Sequence, residues 1–87
     1  MHILSIRPAP PGTGRTVALF DIAVTDELRL YDVRLIETED GRHLSYAPNS
    51  HGRRTATFAP NLANEISRAA SAALREGIAR DSNSRAA

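Results

Sequence analysis

The hydrophobic period of this chain changes once, at Pro60, and that change limits what it can fold into. Beyond Pro60, Leu62, Ile66, Ala69, Ala70, Ala73 and Leu74 recur at helical spacing, and Ile78 extends the stripe. Ahead of it, apolar residues come in short β-branched runs separated by glycine, proline and acidic turns. A chain of 87 residues holds one core, so the amphipathic helix has only the preceding strands to pack on. Pro60 precedes the helix, Asn61 supplies an N-cap oxygen, Glu65 falls in the first turn, and Arg75 and Arg80 fall late, matching the helix dipole.

Residues 2–7 (HILSIR) form a short strand that the prolines and glycines of residues 8–14 (PAPPGTG) end. Residues 15–25 (RTVALFDIAVT) are almost continuously apolar, the pattern of a strand covered on both faces. Residues 28–37 (LRLYDVRLIE) alternate. Tyr31, Val33 and Leu35 share one face; Leu28, Leu30, Asp32, Arg34 and Ile36 share the other. Asp40-Gly41 is a two-residue hairpin signal, and residues 43–48 (HLSYAP) return. The expected architecture is α+β: an antiparallel β-meander of three to four strands followed by one C-terminal amphipathic helix. Residues 1–80 form the single domain and 81–87 a flexible tail.

One helix covers one face of such a sheet. Leu28, Leu30 and Ile36, with Val17 and Leu19 from the neighbouring strand, are left on the other. Apolar surface in water costs about 25 cal/mol per Å². A homodimer that buries this face, or pairs an open sheet edge, is the simplest remedy. Asp21, inside an apolar strand, needs a partner, and Arg34 on the adjacent strand is the expected one. Asp32 and Arg34, two residues apart, form a further structural ion pair, with each other or across strands.

There is no cysteine, which removes disulfides, thiolate nucleophiles and zinc–thiolate sites. No apolar run approaches the roughly 18–20 residues of a membrane span, and the N-terminus carries no signal-peptide pattern. A soluble, cytoplasmic protein with no membrane partner is expected. All eleven basic residues are arginine, which a GC-rich coding sequence explains as well as function does. Their distribution carries more. Residues 26–40 hold six acids and two arginines, a net of −4; residues 41–60 hold three arginines and no acid, a net of +3.

The basic part centres on residues 49–60 (NSHGRRTATFAP), read as a loop. Arg53 and Arg54 beside a helix N-terminus can offer a phosphate charge, forked donors and free backbone N–H groups together. Arg68 on the polar helix face extends the stripe, Arg42 lies at the hairpin, and His51 can add charge in acid, although a plain polar loop residue is its more ordinary role. A solvated loop whose arginines serve solubility explains the same residues equally well. Tyr46 and Phe58 can stack on a base, although core packing is the ordinary fate of both. His2, His43 and His51 lack metal-ligand spacing, residues 37–40 (ETED) lack a calcium-loop pattern, and residues 12–15 (GTGR) read as a turn. No catalytic constellation has a recognisable spacing. Neither an enzyme nor a cofactor is expected.

Residues 19–48 (LFDIAVTDELRLYDVRLIETEDGRHLSYAP), followed by a glycine-containing loop, a proline and an amphipathic helix, resemble the SpoVG family, stage V sporulation protein G, a septation regulator. YDVRLI in the third strand, the Asp-Gly hairpin, the strand ending in Ala47-Pro48, Gly52, and Pro60-Asn61 opening the helix carry the resemblance, which runs from about Ile6 to Leu74. It implies a small, dimeric, non-enzymatic bacterial regulator that binds DNA and RNA through basic residues between the last strand and the helix. In this sequence that role falls to Arg53 and Arg54 by position, with the arginines after Gly52 rather than directly after Pro48. A protein-interaction module that docks a partner through the exposed sheet face or edge is the alternative.

Overall fold

Sheet gives way to helix at the period change. A computed structural model describes residues 1–10, 12 and 14–86, and their side chains up to residue 77. Four strands, β1 (His2–Pro8), β2 (Thr16–Ala23), β3 (Arg29–Glu37) and β4 (His43–Tyr46), pair antiparallel in the order β1-β2-β3-β4. A two-stranded ribbon of β5 (Asn49–Ser50) and β6 (Arg53–Arg54) comes next, and then α1 (Pro60–Ala86). The fold is α+β, as expected. Ile78, Arg80 and the tail over 81–87 fall where side chains lie outside the described residues, as do Pro11 and Thr13 of the first loop. Among the described residues, no helix is long and apolar enough to cross a membrane.

The core lies between α1 and one face of the sheet. Ala18, Phe20 and Ile22 of β2, Val33 and Leu35 of β3, and Ile66 and Ala70 of α1 are fully buried together. The face that reaches this core is not the one simple alternation gives. Phe20 pairs with Val33 and Ile22 with Leu30, so Asp21 alone opposes both Tyr31 and Asp32. This is a β-bulge, and Asp32 adopts the left-handed region at φ 55°. The extra residue resets the period. Leu30 therefore joins Val33 and Leu35 on the helix side, packed against the core, and Tyr31 is left 57% exposed. Further register shifts fall at Leu4 in β1 and Val17 in β2, and Val17 too packs against the core rather than on the open face.

Asp21 holds the bulge. Its carboxylate accepts the Asp32 N–H at 2.9 Å and faces the Arg7 guanidinium at 3.6 Å. Arg7 also pairs with the Asp32 carboxylate. The expected Asp21–Arg34 and Asp32–Arg34 pairs are thus replaced by one cluster centred on Arg7. The cause is the bulge, which turns the Asp32 amide toward Asp21.

The turn between β3 and β4 is not the two-residue form that Asp40-Gly41 suggests. At Asp40-Gly41 the Gly41 N–H donates to Thr38 O at 3.0 Å and the Thr38 N–H donates to Arg42 O at 2.9 Å, closing a three-residue loop. Only Gly41 has positive φ, at 83°, so the turn is a type I turn with a glycine bulge rather than the two-residue form. The Thr38 hydroxyl also donates to Asp40, and this bond, first among the causes, holds the Asp40 carboxyl below the usual carboxylate range. The helix start differs as well. Ala63 N donates to Ala59 O at 2.9 Å, so Ala59 is the cap and Pro60 the first helical residue. Asn61 is therefore inside the helix, and Glu65 lies past a first turn that holds no acid.

Between β4 and α1 the packing is polar. Ser45 and Ser67, both buried, share a hydrogen bond of 2.8 Å, and His43 Nδ1 bonds Ser71 Oγ one helical turn on. Removing one hydroxyl of the buried pair strands the other, at a cost of about 1–3 kcal/mol. Ser45→Ala and Ser67→Ala should each destabilise the protein by roughly that amount, and the double variant by about 1 kcal/mol less than their sum. A double-mutant cycle of urea melts measures this, and strict additivity would show that the pair does not interact.

Candidate nucleic-acid interface

Residues 49–54 form an ordered ribbon rather than an irregular loop, and the turn explains it. Asn49 pairs with Arg54 and Ser50 with Arg53, leaving His51-Gly52 as the two central residues. Their φ values are 52° and 75°, the mark of a type I′ turn, whose twist suits a tight hairpin. Histidine tolerates the left-handed region better than most residues, and Gly52 has no Cβ to strain. The Thr55 hydroxyl donates to Pro48 O at 2.6 Å and ties the base of the ribbon.

The ribbon separates the two arginines. Adjacent residues on a strand point to opposite faces, so Arg53 shares a face with Ser50 and Arg54 with Asn49. Arg54 and Asn49 line a cleft of about 670 Å³ between β4, the ribbon, residues 56–58 and the first turns of α1; Arg53 does not line it. Arg53 and Arg54 therefore cannot close on one phosphate as a fork and meet separate groups. His51 is exposed at the tip of the turn. Arg68 is exposed one helical turn beyond Asn64, which lines the cleft. Arg42 stands apart, at the other end of β4, about 13 Å of strand away. Phe58 is half-buried against the core, whereas Tyr46 is 45% exposed on the cleft wall.

The residue that the strand pattern does not flag is Arg34. It lies opposite Leu19 on one side and Tyr46 on the other, on the sheet face away from α1, and lines the same cleft. Its Nε is buried and has no hydrogen-bond partner. No aspartate or glutamate lines the cleft. The described ion pairs use Arg7 and Arg15, the latter to Glu39 at 2.7 Å. Among the described residues, Arg34, Arg42, Arg53, Arg54 and Arg68 have no carboxylate partner. Also among the described residues, no group of three or more His, Cys, Asp or Glu is placed to hold a metal ion.

No protein-family model matches the chain, and no curated protein or solved structure is significantly similar to it.

A buried donor without a partner costs about 1–3 kcal/mol. Arg34→Leu should therefore leave stability unchanged or raise it by about 1 kcal/mol, because it removes the stranded Nε and keeps an apolar stem. Chemical denaturation checks this. A loss of more than about 1 kcal/mol would make Arg34 a structural residue instead.

Proposed function

We propose that this chain is a small, non-enzymatic regulator that binds the phosphate backbone of DNA and RNA in the cytoplasm. Arg53, Arg54 and Arg68 make the main contacts, with His51 beside them at the tip of the ribbon. Arg42 is reached only by a strand that runs the length of β4. The observation that carries the reading is the set of exposed arginines on the ribbon and helix with no carboxylate partner among the described residues. Unpaired guanidinium groups are free to displace the counterions of a polyphosphate. The resemblance of residues 19–48 to the SpoVG family supports the same function, with septation and sporulation as the processes it points to.

The protein acts as a homodimer in this reading. A single chain supplies few phosphate contacts, and two copies double them. The free edge of the sheet at β1, where Leu4 is 43% exposed, is the surface a second copy would pair with. The same exposed edge supports the second reading, a module that docks another protein there. That reading predicts association insensitive to salt and no affinity for nucleic acid.

Fluorescence anisotropy with labelled DNA and RNA across a salt series separates the two. Affinity should fall steeply with salt. Arg53→Ala, Arg54→Ala and Arg68→Ala should each weaken binding across all sequences and reduce the logarithmic salt slope by about 1. Unchanged affinity in the triple variant would remove the backbone-binding function.

A further inference from the structure

The cleft beside the ribbon has a chemistry that backbone contact alone does not use. We infer that it is a binding site for a single nucleotide: Arg34 and Arg54 hold the phosphate, and the ring lies against Tyr46. The volume of about 670 Å³ is within the roughly 300–1,000 Å³ typical of small-molecule sites. Arg34 and Arg54 both line it, and no acid does. A site for a cation or a neutral sugar would not be lined this way. The Arg34 Nε is buried without a partner, so an incoming oxyanion would satisfy a donor the fold leaves unpaired.

The rest of the lining suits what a phosphate is attached to. Tyr46 stands directly across from Arg34 in the strand register, on the same face of the sheet, and is 45% exposed. Asn49 and Asn64 supply amide donors and acceptors at the rim. A base inside a duplex cannot enter such a cleft; an unstacked one can. The site therefore gives the protein a preference for single strands, or for the free nucleotide that carries the same group.

This inference rests on the nucleic-acid reading for its biological setting, but its test is separate. Uniformly labelled full-length protein is titrated with a nucleoside monophosphate, with inorganic phosphate, and with a single-stranded and a duplex oligonucleotide, following amide shifts. The monophosphate should move the amides of residues 34, 44–47, 49, 54–58 and 63–67, more strongly than inorganic phosphate does. Arg34→Gln should abolish this response and weaken single-strand binding about tenfold or more, which is the scale of one charged, forked contact. Duplex binding should change little. Arg34→Lys keeps the charge but not the fork and should lose most of the affinity. Arg53→Ala, on the other face of the ribbon, should leave the monophosphate response intact. Thermal melts confirm folding, and Arg54→Ala serves where an Arg34 variant does not fold.

Displacement of the monophosphate by the single-stranded oligonucleotide would identify a nucleotide of a strand as the occupant; persistence of both would identify the free nucleotide. Either outcome supports the site. If the monophosphate leaves these amides unmoved and Arg34→Gln binds single strands normally, the site does not exist, whether or not Arg53 and Arg68 matter. If the monophosphate binds here while the Arg53 and Arg68 variants bind nucleic acid normally, backbone recognition fails and the cleft stands.

Discussion

Ile66 and Ala70 close the helix onto Ala18, Phe20, Ile22, Val33 and Leu35, and this one apolar contact organises the molecule. Seven side chains leave water together, and dispersion and hydrophobic burial there must offset the ordering of the whole chain. The contact also needs the Asp32 bulge. Without that extra residue Leu30 would fall on the far face, and the edge of the core beside Ile22 would be open. Asp21 makes the bulge possible by accepting the Asp32 amide, so a carboxylate in an apolar strand serves the backbone and not a reaction.

What the helix leaves uncovered follows from the same contact. The face away from α1 carries Arg34, Leu44 and Tyr46 beside each other, because Arg34 pairs with Tyr46 and Ile36 with Leu44 in the register of β3 and β4. The ribbon then rises at the end of β4 and turns Arg54 toward that neighbourhood. Arg7 is taken up by Asp21 and Asp32 and Arg15 by Glu39, all of them clear of the cleft. Arg34 and Arg54 of the cleft are thus set apart from the paired Arg7 and Arg15.

Much of the fold was legible in the residues. The helical stripe from Leu62 to Leu74, the place of the turn at Gly41 though not its type, and a meander of three to four strands all follow from period and turn chemistry. The errors come from places where one residue alters the count. The bulge at Asp32 is invisible to alternation, since nothing in LRLYDVRLIE marks which residue is extra. The helix cap lies two residues before Asn61, which has the better capping side chain, because Pro60 has the fixed φ that suits the first helical position. The His51-Gly52 turn was missed because histidine is a rarer choice there than asparagine or aspartate. At the site, the arginines of residues 49–60 stood out as a charge cluster. Arg34 did not, because its role depends on a cross-strand neighbour ten or more positions away.

The folded ribbon is what distinguishes two arginines with separate tasks from a basic loop that meets phosphate at random. Nuclear Overhauser contacts in the unbound protein test it most directly. Cross-strand contacts from Asn49 to Arg54 and from Ser50 to Arg53 are expected, with the Arg54 side chain close to the cleft wall and Arg53 free of it. Random-coil shifts across residues 49–54, or Arg53 and Arg54 both facing the cleft, would contradict the division of labour on which the site is built.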